Sequence, residues 1–107
     1  MSTEACPGEV WRVDFGMTAK TRPVLVLAVP KPSDARSLAI VAPLTSQLRG
    51  LQGEVDIGKP RWLPKHSAVN VQGLASIDRQ ALEKKLGRLS NGHLESVKAA
   101  LRELLAL

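Results

Sequence analysis

The stretch that decides the fold begins at Arg22 and reads Arg22-Pro23-Val24-Leu25-Val26-Leu27-Ala28-Val29. From Pro23 to Val29 it is continuously apolar and has the length of one strand. This pattern is typical of a strand buried on both faces, which is the position of a central strand in a sheet. Pro23 fits the start of such a strand, where a missing backbone N–H is tolerated.

Further short strands are predicted on either side of this central strand. Val10 to Phe15 alternates, with Trp11, Val13 and Phe15 on one face, which is typical of a half-buried strand. The remaining predicted strands are Leu38–Val41, closed by Pro43, then Glu54–Ile57, and Ala68–Leu74 with Ala75–Ile77 as its continuation. Gly73 within the last of these predicts a bulge or a close backbone approach.

The end of the chain has a helical pattern. Asp78 is a good N-cap for a short helix through Leu86, and Gly87 is a good stop. Ser90 can cap a final helix, on which apolar residues recur at helical spacing: Leu94, Val97, Leu101, Leu104 and Leu105. Strands followed by a helix predict an α+β domain, in which a small, strongly curved antiparallel sheet is covered by the terminal helix.

Length and composition narrow the class of protein. The 107 residues predict one domain, residues 1–107, with residues 1–7 as a flexible tail. The net charge of +5 favours an acidic partner such as nucleic acid, an acidic peptide or a membrane surface. Cys6 is the only cysteine, so no internal disulfide can form, which fits a reducing compartment. Neither a signal peptide nor a membrane span is recognisable, which predicts a soluble cytoplasmic protein.

The usual catalytic patterns are missing from the sequence. His66 and His93 are not spaced as a ligand pair and there is no cysteine cluster, so no metal site is expected. There is also no glycine-rich phosphate loop, no Ser/His/Asp pattern and no convincing pair of carboxylates. RNA offers a route without these parts or a cofactor, because its own 2′-hydroxyl can attack the adjacent phosphorus.

Three segments carry a resemblance to a known family. They are Gly8-Glu9-Val10-Trp11-Arg12-Val13-Asp14-Phe15, Thr21-Arg22-Pro23-Val24-Leu25-Val26-Leu27, and Val41-Ala42-Pro43-Leu44-Thr45-Ser46-Gln47. In order and spacing they resemble the MazF/PemK toxin endoribonucleases, and the similarity extends from Gly8 to Leu105. The resemblance implies an SH3-like antiparallel β-barrel with a C-terminal helix, assembled as a homodimer.

The resemblance also nominates Arg22 and Thr45 as catalytic residues. The family's arginine lies at an Arg-Pro strand start, and its threonine at a Pro-Leu/Ile-Thr-Ser strand end. A guanidinium can bind two phosphate oxygens and stays charged, so Arg22 suits stabilisation of charge on the phosphorane. The Thr45 hydroxyl can donate to a phosphate oxygen or orient the 2′-hydroxyl. On the residues alone, a solvated strand flank and a turn residue are the ordinary interpretations.

Further residues are predicted to contact RNA. Trp62 is the favoured stacking platform, with the alternative that it covers apolar surface. The full set is Lys20, Thr21, Ser46, Gln47, Arg49, Arg61, Trp62, Lys65 and Gln72. The chain departs from the family pattern in its short Gly16–Thr21 loop, which has no carboxylate, and in having no basic residue after Gln72.

The resemblance implies the toxin of a type II toxin–antitoxin system. Its activity would be sequence-specific, metal-independent cleavage of single-stranded RNA to 2′,3′-cyclic phosphate and 5′-hydroxyl ends. Its partners would be the RNA and a cognate antitoxin that occupies the same basic groove. Two alternatives stay open, a module that binds RNA or a peptide without cutting and a gyrase poison resembling CcdB.

Overall fold

The computed structural model describes residues 4–14, 21–31 and 37–107. Within these ranges the chain forms seven strands, two short 3₁₀ turns and one helix. The strands are β1 Glu9–Val13, β2 Arg22–Ala28, β3 Leu38–Thr45, β4 Glu54–Gly58, β5 Ser67–Asn70, β6 Ala75–Asp78 and β7 Leu82–Arg88. The 3₁₀ turns are Val71–Gly73 and Arg79–Ala81, and helix α1 is Asn91–Leu105.

The strands form one antiparallel sheet in the order β4-β5-β3-β2-β1-β7. The long strand β3 has two partners on the side away from β2: Leu38–Val41 pair with β6, and Leu44 and Thr45 pair with β5. The predicted antiparallel sheet with a C-terminal helix is confirmed. No hydrogen bonds join the outer strands β4 and β7 in the described part of the chain, so there the barrel is open.

Strand β2 is central and buried on both faces, as its apolar run predicts. Leu25 lies in one hydrophobic cluster, whereas Val24 and Val26 lie in another on the opposite face of the strand. Helix α1 covers the first cluster, where Val97 is fully buried and Leu94 and Leu101 pack at its edge. The helical stripe is therefore core packing over its first three members, and Leu104 and Leu105 are exposed.

The second cluster reaches into the segment before β1. Ala5 is buried against it, and the Cys6 backbone N–H donates to Glu9 Oε1 at 2.8 Å. Residues 4–7 of the predicted tail thus include one side chain packed in the core. The predicted first strand is shorter than expected, since β1 ends at Val13 and Phe15 lies outside the described residues.

The helix predicted from Asp78 to Leu86 is wrong. Asp78 does cap a turn, because its carboxylate accepts the Gln80 backbone N–H at 2.9 Å, but that turn is 3₁₀ and ends at Ala81. The chain then continues as β7 and pairs with β1 from Leu82 to Arg88. Here sheet pairing outweighs the helix preference of the local residues.

Two smaller boundaries also differ from the prediction. Strand β3 does not close at Pro43 but continues to Thr45, and β5 ends at Asn70 where a 3₁₀ turn begins. The close approach predicted at Gly73 is present in this turn, since a Cβ there would lie 2.6 Å from Pro43 Cγ. Among the described residues, no helix is long and apolar enough to cross a membrane.

Candidate active site

The ends of β2 and β3 bring Arg22 and Thr45 together. These strands pair with Val24 opposite Pro43 and Leu25 opposite Ala42. Continuing this register by two residues beyond the first pair places Arg22 opposite Thr45. The two residues nominated for catalysis are therefore cross-strand neighbours, although 22 residues separate them along the chain.

The local bonding of each side chain leaves it able to hold an anion. Thr45 Oγ1 accepts the backbone N–H of Gln47 at 3.1 Å, so the hydroxyl hydrogen remains for a second acceptor. Arg22 is exposed and, within the part of the chain that the structure describes, forms no ion pair with a carboxylate. Its five N–H donors suit an oxyanion.

Both side chains line a pocket of about 680 Å³ at this end of the sheet, which we call the strand-end pocket. Its other described lining residues come from β1, β2, β3, β5 and β7, from the chain next to β2 and β3, and from the segment between β4 and β5: Arg12, Thr21, Pro23, Leu44, Ser46, Gln47, Trp62, Leu63, Pro64, Lys65, Ser67 and Leu86. Arg12, Arg22 and Lys65 are cationic, and none of the described lining residues is acidic. The pocket therefore favours an anionic ligand.

Arg12 is the lining cation that the sequence did not predict. Strand pairing puts it opposite Pro23, next to Arg22. Its Nε and one Nη contact Glu83 Oε1 at 2.8 and 2.6 Å, which anchors the guanidinium on β7. The alternating sequence pattern of β1 placed Arg12 on the face opposite Trp11 and Val13. Only the pairing of β1 with β2 shows that Arg12 lies at the strand-end pocket.

The predicted RNA contacts divide into two groups. Thr21, Ser46, Gln47, Trp62 and Lys65 line the strand-end pocket. The lining does not include Arg49, Arg61 or Gln72, and Lys20 lies outside the described residues. The Arg49 backbone instead donates to Glu54 Oε1 at 3.0 Å, and Gln72 belongs to the 3₁₀ turn after β5.

Trp62 is held against β7 by a glycine. A Cβ on Gly87 would overlap Cδ2 and Cε2 of the indole, so only glycine permits this packing. The indole is half-buried, packs against the first hydrophobic cluster and still lines the pocket. Both predicted roles, covering apolar surface and presenting a ring to a ligand, are compatible with this position.

Neither histidine is among the described lining residues of the strand-end pocket. His66 Nε2 lies 2.6 Å from Asp56 Oδ1, and both side chains are exposed. The Gly58 backbone N–H, followed by His66, holds the pKa of Asp56 below its usual value. His93 follows the Ser90 cap of α1. Among the residues the structure describes, no group of three His, Cys, Asp or Glu side chains could hold a metal.

Glu9 connects β1 to β7 through Lys85. Its carboxylate is nearly buried and accepts hydrogen bonds from the Trp11 indole at 3.0 Å and the Cys6 backbone at 2.8 Å, and Lys85 Nζ lies 3.0 Å away. Burial raises the pKa of Glu9, but these three partners outweigh it and leave the pKa below its usual value.

Comparisons with known proteins agree with this fold. Residues 7–105 match the family described as "PemK-like, MazF-like toxin of type II toxin-antitoxin system". The chain is 34% identical over 97 residues to a Mycobacterium tuberculosis protein named probable endoribonuclease MazF5, covering 88% of this chain and 86% of that protein. It is 31% identical to the probable endoribonuclease MazF2 of the same species, covering 89% and 92%.

Solved structures of similar fold include two determined with an antitoxin or with MazE. One is an endoribonuclease in complex with its cognate antitoxin from Mycobacterial species, with a TM-score of 0.80, 21% identity and 96% coverage of each chain. The other is a MazE–MazF complex from Deinococcus radiodurans, with a TM-score of 0.76, 25% identity and 94% coverage of each chain. At 21% identity, the first shows likeness of fold alone.

Proposed function

Because this chain belongs to the family of PemK-like, MazF-like toxins of type II toxin–antitoxin systems, we propose that it is a sequence-specific endoribonuclease toxin that cuts single-stranded RNA without a metal ion. The observation that carries the proposal is the cross-strand placement of Arg22 and Thr45 in one cationic pocket. The products are a 2′,3′-cyclic phosphate and a 5′-hydroxyl.

The reaction is attack of the 2′-oxygen on its own 3′-phosphorus. A bond forms between this oxygen and phosphorus, and the bond from phosphorus to the 5′-oxygen of the next nucleotide breaks. Negative charge grows on the non-bridging oxygens, where the Arg22 guanidinium stabilises it. The Thr45 hydroxyl donates to one of these oxygens, and Arg12 adds a second guanidinium at the edge of the site.

Proton transfer takes place through water in the open pocket. The 2′-hydroxyl loses its proton to solvent, and the departing 5′-oxygen takes one up from solvent. Arg22 is a poor general base because a guanidinium carries only donors and offers no acceptor for a proton. The described lining contains no carboxylate or imidazole that would replace water in this role.

The proposal is tested by incubating folded protein with long single-stranded RNA in EDTA and mapping the fragment ends. We expect discrete cuts with cyclic-phosphate ends, lost in Arg22→Ala and Thr45→Ala. Arg102→Ala, an exposed arginine on α1 outside the pocket, serves as the charge-matched control and retains activity. Cleavage that needs magnesium, or that survives loss of both Arg22 and Thr45, would contradict the mechanism.

An RNA-binding measurement and a DNA supercoiling assay separate the alternative functions. RNA that is bound but stays intact would favour a binding module of the same fold. Inhibition of DNA supercoiling by the folded protein would favour a gyrase poison. Neither alternative uses the paired arginine and threonine for chemistry.

We also propose a cognate antitoxin as partner, with an acidic or apolar segment that occupies the strand-end pocket and excludes RNA. Support comes from the cationic lining and from the MazE–MazF complexes of similar fold. Competition between the product of a neighbouring gene and labelled RNA tests this, and a product that binds without displacing RNA would contradict it.

The toxin is proposed to act as a homodimer in the cytoplasm, where RNA is present and the Cys6 thiol stays reduced. Exposed leucines and an isoleucine offer apolar surface for a second copy: Leu38, Ile40, Leu48, Leu51, Leu104, Leu105 and Leu107. Light scattering of the purified protein tests the dimer, and a monomeric mass at micromolar concentration would contradict it.

A further inference from the structure

A second cavity, of about 320 Å³, adjoins the strand-end pocket, and we call it the side cavity. Its described lining residues are Ile57, Lys59, Pro60, Trp62, Arg88, Leu89, Ser90 and His93. Trp62 belongs to both linings. The two spaces are therefore neighbours that share one side chain as a common wall.

The side cavity combines cations at its rim with an apolar floor. Lys59 and Arg88 are exposed, so their charges are available to a ligand, and Ile57 and Leu89 beneath them are each only 4% exposed. A nucleotide matches this combination, since its phosphate seeks cations while its base and ribose cover apolar surface. An amphipathic anion of this size fits better than a simple inorganic ion.

The acidic residue on β4 that is adjacent in sequence to Ile57 already has hydrogen-bond partners of its own. Asp56 precedes Ile57, and its carboxylate accepts the Gly58 backbone N–H at 2.8 Å and lies 2.6 Å from His66 Nε2. It is not part of the lining, whose described members include no carboxylate. The side cavity thus keeps a positive field next to the positive strand-end pocket.

Trp62 has a fixed position between the two spaces. Its indole lies on Gly87 of β7, in contact that no larger residue would allow. An RNA strand that leaves the strand-end pocket on this side must pass over the indole, which is a sequence-tolerant surface for a base. Lys59 and Arg88 line the side cavity together with this indole.

We propose that the side cavity is a second nucleotide subsite for the same RNA, in which Lys59 and Arg88 bind a phosphate neighbouring the one held by Arg22 and Thr45. Trp62 separates the two nucleotides. The inference rests on the proposed function for the identity of the ligand as RNA. It extends the site to a part of the surface that Arg22 and Thr45 do not reach.

The test is equilibrium binding of single-stranded RNA made uncleavable by a 2′-methoxy group on every ribose. Two labelled pools of mixed sequence are compared, about four and about eight nucleotides long. Lys59→Ala/Arg88→Ala is the variant, and Lys98→Ala/Arg102→Ala removes the same charge from the exposed face of α1 as the matched control. Because all four residues are exposed, the variants should keep the wild-type melting temperature.

We expect the wild type and the control to bind the longer pool more tightly than the shorter one. The Lys59→Ala/Arg88→Ala variant should bind the longer pool about tenfold more weakly than the wild type, which removes most of this gain. Its plot of log affinity against log salt should be less steep by about 0.7, as for one lost phosphate contact on a single strand. Its affinity for the shorter pool should not change.

The subsite would be overturned if the variant and the control lost the same affinity for the longer pool. It would also be overturned if the variant kept the wild-type preference for the longer pool. Failure of the proposed function has a different signature. Wild-type protein that binds both pools but leaves ordinary RNA uncut would refute the nuclease, while the difference between variant and control would still decide the subsite.

Discussion

At the scale of single residues, the chemistry of the candidate site depends on what each side chain can still donate. The Thr45 hydroxyl oxygen is already an acceptor for the Gln47 backbone, so its hydrogen is the group available to substrate. The sequence predicted Thr45 and Arg22 by resemblance, and the β2–β3 register places them side by side, as joint action on one phosphate would require. Neither residue type alone implies that they meet.

The role of the hydroxyl can be separated from that of side-chain shape. Thr45→Ser keeps the hydroxyl and should retain most cleavage activity, whereas Thr45→Val keeps the shape and should lower kcat by about 10²- to 10³-fold, as loss of one transition-state donor does. Single-turnover rates at saturating protein measure this. Equal activity of the serine and valine variants would show that the hydroxyl takes no part.

Arg12 is predicted to strengthen substrate binding from beside the scissile phosphate. Arg12→Ala should lower kcat/KM about tenfold, because one phosphate contact is lost, and should flatten the salt dependence of binding. Lys84→Ala on β7, an exposed cation outside the pocket lining, is the matched control. The assignment would be wrong if both variants reduced kcat/KM to the same extent.

Glu9 should stabilise the fold in a pH-dependent way. Its folded-state pKa is below the ordinary value of 4.5, so its stabilisation is present above that pH and is lost as pH falls through the folded pKa. Glu9→Gln should therefore lower the free energy of unfolding by about 1–3 kcal/mol at neutral pH. The difference between variant and wild type should shrink in more acidic solution.

Urea unfolding at a series of pH values measures this effect of Glu9. Glu95→Gln serves as the control, because Glu95 pairs with Lys98 at 3.4 Å on an exposed helix face. This substitution should lower the free energy of unfolding by less than about 1 kcal/mol. If Glu9→Gln lowered the free energy of unfolding by the same amount down to acidic pH, the ionised carboxylate would not be the source of the stabilisation.

At the scale of secondary structure, local pattern predicted the central strand and the last helix correctly. Both depend on their own residues, namely the apolar run in β2 and the Ser90-capped stripe of α1. The helix prediction is wrong over residues 82–86 because Leu82, Glu83, Lys84 and Leu86 also suit a helix. Pairing with β1, which lies far away in sequence, decides the structure there.

Gly87 is the part of β7 that connects the sheet to the ligand surface. Gly87→Ala would place a methyl group where the Trp62 indole lies, so the ring must move. We expect a loss of about 1–3 kcal/mol in stability, as in other overpacked sites, together with a changed tryptophan fluorescence spectrum and weaker RNA binding.

Gly92→Ala is a suitable comparison for this substitution, since a Cβ at Gly92 meets open space in helix α1. It should leave fluorescence and RNA binding unchanged. A folded Gly87→Ala protein with wild-type stability and spectrum would show that Trp62 does not depend on this glycine.

At the scale of the whole molecule, the sequence predicted an excess of positive charge but not where it collects. Among the residues that the structure describes, five lysines and arginines line the strand-end pocket and the side cavity. They come from β1, β2, β7 and the segment between β4 and β5, so only the sheet order brings them to one surface. The predicted contacts Arg49, Arg61 and Gln72 have the right chemistry, but they do not line either cavity.

In the proposed mechanism the 2′-hydroxyl of the RNA is the nucleophile, and the protein supplies only positioning and charge. The most direct test uses an RNA substrate whose cut site has been mapped. In this substrate only the ribose immediately on the 5′ side of the scissile phosphate is replaced by 2′-deoxyribose. We expect this RNA to bind as tightly as unmodified RNA and to stay uncut in EDTA, while deoxy substitutions at neighbouring positions leave cleavage intact. Cleavage at the substituted position at the rate of unmodified RNA would contradict this mechanism.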